Sequence, residues 1–108
     1  MKSKRSKACE ISQKVKEIVW LRDNKSCIFC GRYVPKTCAC CHFIARSHGG
    51  LGIEKNILTL CNDCHYMYDN TDKRKKIKEL FRQYLKEKYQ DWDEKELVYN
   101  KWKNFGKI

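Results

Sequence analysis

The apolar positions of this chain fall into short runs separated by clear breaks. Ile11, Val15, Ile18 and Val19 recur at helical spacing, with Arg22 on the same face, and predict a helix over 10–22. Asp23-Asn24 then marks a turn. The run from Thr37 to Ile44 fits a strand, as does Ile57-Leu58-Thr59-Leu60, and Ser47-His48-Gly49-Gly50 with Gly52 reads as the loop between them. Asn62 or Asp63 can cap a following helix that continues through Tyr68. Beyond Asn70 two more helices are expected, over 72–89 and 93–104, parted at Gln90-Asp91 with Asp93 as the second cap. Ile77, Leu80, Phe81, Tyr84 and Leu85, then Leu97, Val98, Trp102 and Phe105, stand at their core positions. Trp20, Trp92 and Trp102 read as core anchors. Residues 1–9 lie outside the pattern and are expected to form a basic, flexible arm whose lysines and Arg5 trail along phosphates.

Length changes this picture little: 108 residues make one small domain, over 10–108, with a modest core that a metal staple would help. There is no internal repeat and no Pro/Gly/Ser-rich linker. Charge changes it more. With 24 Lys+Arg against 13 Asp+Glu, the formal charge of +11 points to nucleic acid as partner. A membrane partner needs an apolar span of about 20 residues or a lipidation signal, and the sequence has neither. The first ten residues are basic without the apolar segment of a secretory signal, so a cytoplasmic, reducing location is expected. There, eight cysteines are read as metal ligands and buried thiols rather than a disulfide framework.

The cysteine spacing carries the firmest chemistry. Cys27-x2-Cys30 and Cys61-x2-Cys64 are two pairs, each able to present two sulfurs about 2.3 Å from one tetrahedral Zn²⁺. Such an ion would clamp the loop before the first strand to the start of the short helix, and its role would be folding. Cys38 and Cys40 are read as small buried side chains and Cys9 as an unpaired surface or arm thiol. His42, Asn56 and His65 do not belong to that cage, and their order suits a nuclease centre.

The stretches Cys27-Ile28-Phe29-Cys30, Cys41-His42-Phe43-Ile44-Ala45-Arg46-Ser47-His48-Gly49-Gly50 and Asn56-Ile57-Leu58-Thr59-Leu60-Cys61-Asn62-Asp63-Cys64-His65 together resemble the HNH endonuclease family, in the four-cysteine form common in phages and mobile elements. The resemblance runs from about Cys27 to Asp69, and Trp92-Asp93 with Tyr99-x2-Trp102 is similar to the tails of phage-encoded members. It implies a small α+β protein: a ββα-metal motif over about 27–70, clamped by the four-cysteine zinc site and flanked by N- and C-terminal helices. His42 would end the first strand as general base, Asn56 would orient it, and His65 would hold a catalytic divalent ion, whether Mg²⁺, Mn²⁺, Ni²⁺ or Zn²⁺. The chemistry agrees, since phosphodiester hydrolysis needs a base of near-neutral pKa and a cation at the phosphate.

One position departs from the family pattern. The residue before the base is often an Asp or His ligand and here is Cys41, a good partner for Zn²⁺ and a poor one for Mg²⁺. Either Cys41 binds a softer metal, or it packs and the ligands come from elsewhere, His42 among them. Asp69 is the candidate for a further ligand, because His65 and Asp69 are related as i and i+4. Arg46 is placed to clamp the scissile phosphate, while His48 reads as a surface histidine. Lys73, Arg74, Lys75 and Lys76, followed by Lys78, Arg82, Lys86 and Lys88, offer a basic helix to the DNA backbone. The expected activity is metal-dependent cutting or nicking of DNA with low sequence specificity. A homodimer would be needed for concerted double-strand cuts, and phage packaging proteins are further candidate partners, in the host cytoplasm. The alternatives are a non-catalytic zinc module that binds nucleic acid and an adaptor in phage assembly.

Overall fold

A computed structural model describes residues 3–37 and 40–100. It is a small α+β protein with a two-stranded antiparallel sheet and a cluster of four cysteines. Among the described residues, no helix is long and apolar enough to cross a membrane.

The chain opens with a helix where a flexible arm was expected: α1 spans Lys4–Cys9, with the Ser3 hydroxyl capping the Ser6 N–H at 3.1 Å. So short a helix is not stable in isolation. It is held by docking, with the Cys9 side chain buried rather than exposed as a surface thiol. α2, Gln13–Arg22, starts three residues later than the apolar spacing suggests, because the Ser12 hydroxyl caps the Val15 N–H. Val19 is buried on this helix, whereas Ile18, assigned to the same face, is exposed.

The α2 terminus carries a buried polar clasp. The Arg22 guanidinium grips both oxygens of Asp23, at 2.7 and 2.9 Å, and also donates to the carbonyls of Glu54 and Ile57 and the hydroxyl of Tyr89. Asp23 in turn accepts the backbone N–H of Thr59 and the Tyr84 hydroxyl, at 3.0 and 2.5 Å. This one ion pair therefore ties α2 to the sheet and to the long C-terminal helix.

Strands β1, Cys40–His42, and β2, Ile57–Thr59, pair antiparallel with Cys41 opposite Leu58 and His42 opposite Ile57. β1 ends on His42, as the resemblance implies, and so stops short of Ile44. At its far end the chain turns away into a 3-10 turn, Arg46–His48. Gly50 is required there, because a Cβ would lie 1.7 Å from the Ile44 carbonyl oxygen. α3, Asn62–Asn70, is capped by Cys61 itself rather than by Asn62 or Asp63, with Sγ accepting the Cys64 N–H. α4, Arg74–Lys88, buries Ile77, Phe81 and Leu85 on one stripe; Leu80, expected in the core, is 59% exposed. The core closes around Phe43, Leu58, Leu60, Tyr68 and Trp92, with Trp92 meeting Phe43 edge-on at 5.6 Å. Trp92 is thus a core anchor, while Trp20 is half-buried with its indole N–H on the Val34 carbonyl.

Of the helix expected over 93–104, the described part, 93–100, holds a single 3-10 turn, Glu94–Leu97, capped by Asp93. Backbone pairing ends it: Leu51 donates to the Leu97 carbonyl and Tyr99 to the Gly49 carbonyl, both at 2.8 Å, drawing Val98 out beside Gly50. Trp102, Phe105 and Cys38 lie outside the described residues.

Candidate metal centres and the His42 groove

The first knuckle is a tight hairpin in which Cys27 donates to the Arg32 carbonyl and Gly31 to the Cys27 carbonyl. The second is the step from β2 into α3, and the Ile28 N–H, donating to the Thr59 carbonyl at 3.0 Å, holds the first knuckle against the end of β2. All four sulfurs, of Cys27, Cys30, Cys61 and Cys64, lie within 4.8 Å of one another, with Cys30 and Cys61 3.7 Å apart. Sulfurs at tetrahedral corners about 2.3 Å from zinc are separated by roughly 3.7 Å, so the spacing is compatible with that ion. Backbone N–H groups of Cys30 and Cys64 point at the sulfurs of Cys27 and Cys61, at 3.5 Å each, which favours thiolates. Burial opposes ionisation of Cys27, yet the N–H groups of Cys30, Cys61 and Phe29 prevail and pull its thiol down to about 7. Cys64 is driven the other way, first by burial and then by its sulfur neighbours. Four thiolates this close require a cation, and the group can hold a structural metal.

A second donor group lies one strand residue before His42. Cys41 is buried, and its sulfur lies with a ring nitrogen of His65 and a carboxylate oxygen of Asp69, both on α3, all within 4.8 Å of one another. Of the two alternatives for Cys41, the structure places it among donors as well as in the core. Its thiol is pushed well above the ordinary value, first by burial and then by the Asp69 charge, and it donates to the His42 carbonyl. His65 and Asp69 touch each other at 2.9 Å, as their spacing implied. Asp69 also receives Arg74 at 3.1 Å, and the Arg74 guanidinium stacks over the Tyr68 ring and donates to the Tyr68 carbonyl. Arg74 is therefore tied to α3, with part of its side chain still exposed. Lys73, Lys75 and Lys76 are exposed at the start of α4, while Arg82 is bound to Glu79 and Glu94.

His42 is half-buried at the end of β1 and lines a 630 Å³ groove with Lys7, Glu10, Lys16, Thr37, Cys40 and Arg46. Its pKa is lowered, chiefly by burial and further by the charges of Arg46 and His65, against the Cys9 carbonyl and Asp69, which favour the proton. Burial thus favours the neutral ring. Arg46 borders a second, 400 Å³ groove with His48, Asp69 and Arg74, and so stands between His42 and the second donor group. Its Nη2 donates to the carbonyl and hydroxyl of Ser6, both at 3.1 Å.

Asn56 does not orient the imidazole. It lies one ladder step beyond the His42–Ile57 pair and accepts the Phe43 N–H on its own carbonyl, so its side chain leaves the face that His42 uses. The fully buried amide accepts from Ile44 N–H at 2.9 Å and donates to the carbonyls of Ile44 and Leu51, stapling the two ends of the loop after β1. The group on His42 Nε2 is instead the backbone carbonyl of Cys9, at 2.9 Å. Sequence reasoning missed it because a main-chain oxygen carries no residue signature. Gly52, whose N–H donates to Ala8 O, was the available hint of a close backbone approach.

Compared with known proteins, the chain matches no family model, no curated protein and no solved structure.

Proposed function

We propose that this chain is a metal-dependent nuclease of the HNH type that hydrolyses phosphodiester bonds in DNA. The observation that carries the reading is a juxtaposition at the end of β1: a neutral histidine and an arginine line a basic groove, and the adjacent Cys41 faces His65 and Asp69 within 4.8 Å. β1, β2 and α3 are read as a ββα-metal unit, and Cys27, Cys30, Cys61 and Cys64 as its structural zinc site.

In this reading His42 accepts a proton from the attacking water, which a neutral imidazole does well near pH 7. Arg46, between the two grooves, holds the scissile phosphate, and Lys7 and Lys16 take flanking phosphates. A divalent ion held by Cys41, His65 and Asp69 would supply positive charge at the phosphate and the leaving 3′-oxygen. A thiol among the donors favours Zn²⁺ or Ni²⁺ over Mg²⁺. To serve as a ligand Cys41 must lose its proton, and Asp69 must share or release its bonds to His65 and Arg74. The test is an end-labelled duplex incubated with each ion. Metal-dependent fragments ending in 3′-hydroxyl and 5′-phosphate are expected, and a chain that binds both ions without cutting would sink the proposal.

A second reading is favoured by the same Asp69, whose two partners already knit it into a structural network. It makes the chain a non-catalytic zinc module that binds nucleic acid. That module would show DNA affinity falling steeply with salt and no cleavage under any ion.

A further inference from the structure

Residues 3–10 dock on the loop that follows β1, more than thirty residues away in sequence. Gly52 donates its N–H to the Ala8 carbonyl at 3.0 Å, Arg5 Nη2 donates to the Ser47 carbonyl at 3.1 Å, and Arg46 reaches back to Ser6. The Cys9 side chain is 1% exposed. The approach is so close that a Cβ on residue 52 would lie 1.8 Å from the Glu10 carbonyl oxygen and 3.1 Å from that of Cys9. This docking is what sets the Cys9 carbonyl 2.9 Å from His42 Nε2.

A carbonyl oxygen only accepts, so the hydrogen in that bond belongs to Nε2. A neutral imidazole has one N–H, and Nδ1 is then left with its lone pair. We propose that the docked N-terminal segment is a positioning element of the His42 site, in which the Cys9 carbonyl holds the imidazole in its Nε2–H tautomer and leaves Nδ1 to act as the base. The catalytic consequence rests on the nuclease reading above; the tautomer itself rests on the hydrogen bond. Asn56 cannot take over the task, since both ends of its amide are engaged on the loop backbone. The same segment contributes Lys7 to the groove, so undocking it would alter one wall of the site as well as the ring.

Long-range proton–nitrogen spectra of the full-length, ¹⁵N-labelled protein test this at a pH above the histidine titrations, with His48→Gln and His65→Gln used to assign the other two rings. Wild type should give His42 a pyrrole-type Nε2 and a pyridine-type Nδ1. Gly52→Ala, whose Cβ cannot coexist with the Glu10 carbonyl, should average the two nitrogens and slow DNA cleavage about tenfold to a hundredfold at saturating DNA. An Nδ1–H ring in wild type, or an unchanged His42 ring in Gly52→Ala, would overturn the proposal. Should the variant fail to fold, the wild-type spectrum decides. Should wild type never cut DNA, the nuclease reading fails, while the ring pattern still decides the positioning role.

Discussion

Asp23→Ala removes the centre of the clasp that holds the sheet between α2 and α4. The side chains of Arg22 and Asp23 are 10% and 0% exposed, so solvent screens the pair little. Without the carboxylate, Arg22 keeps its bonds to the Glu54 and Ile57 carbonyls but remains a buried cation with no counter-charge, and the Thr59 N–H and Tyr84 hydroxyl lose their acceptor. Breaking a buried pair in this way costs about 3–5 kcal/mol. That is a large share of the roughly 5–15 kcal/mol that stabilises a domain. Asp63→Ala provides the contrast, because its ion pair with Arg32 is solvent-exposed on both sides and such pairs contribute about 0–1 kcal/mol. Urea unfolding at fixed metal content, followed by tryptophan fluorescence, measures both. A loss below about 1 kcal/mol for Asp23→Ala, or equal losses for the two variants, would refute the argument that burial makes this clasp matter.

Three further outcomes follow from the sites. Stripping the four-cysteine site with a strong chelator, or replacing Cys61 by Ser, should unfold much of the domain, seen as loss of the cooperative melt together with the bound zinc. Asp69→Ala should weaken binding of the second ion about tenfold or more while leaving the first bound, which calorimetric titration of the metal-stripped second site resolves; an unchanged isotherm would make Asp69 purely structural. The pKa of His42 is lowered mainly by burial, and a base acts only when deprotonated, so the acid limb of the cleavage profile should have its midpoint below the ordinary histidine value of 6.5. An acid limb at or above 6.5 would mean that another group titrates.

The parts of the site legible in the sequence are those set by local spacing. Within each Cys-x2-Cys pair a tight turn or a helix cap fixes two sulfurs within four residues, and His65 and Asp69 meet because they are one helical turn apart. Cys41 and His42 could be assigned to opposite faces from strand alternation. What was not legible depends on distant backbone. Residues 4–9 have no apolar periodicity, and they become a helix because Gly52 and Arg46 give them a surface to dock on. Residues 97–99 leave the expected C-terminal helix for a related reason, since Gly49 and Leu51 draw them into backbone pairing instead. Leu80 and Ile18 satisfy the helical spacing yet face solvent, because periodicity names a stripe without saying how wide a partner covers it. Asn56 was recognised as important for the wrong contact. Residue order placed it near His42, but the ladder puts its amide on the other face.

The most direct test of the central claim is conversion of supercoiled plasmid by wild type beside His42→Ala, after chelator treatment and re-addition of Mg²⁺, Mn²⁺, Ni²⁺ or Zn²⁺ in turn. Metal-dependent open-circular or linear product is expected from wild type, and none from a His42→Ala protein that remains folded and zinc-loaded. Equal cutting by both proteins would contradict the assignment of His42. A folded wild type that cuts under no ion would contradict the nuclease itself.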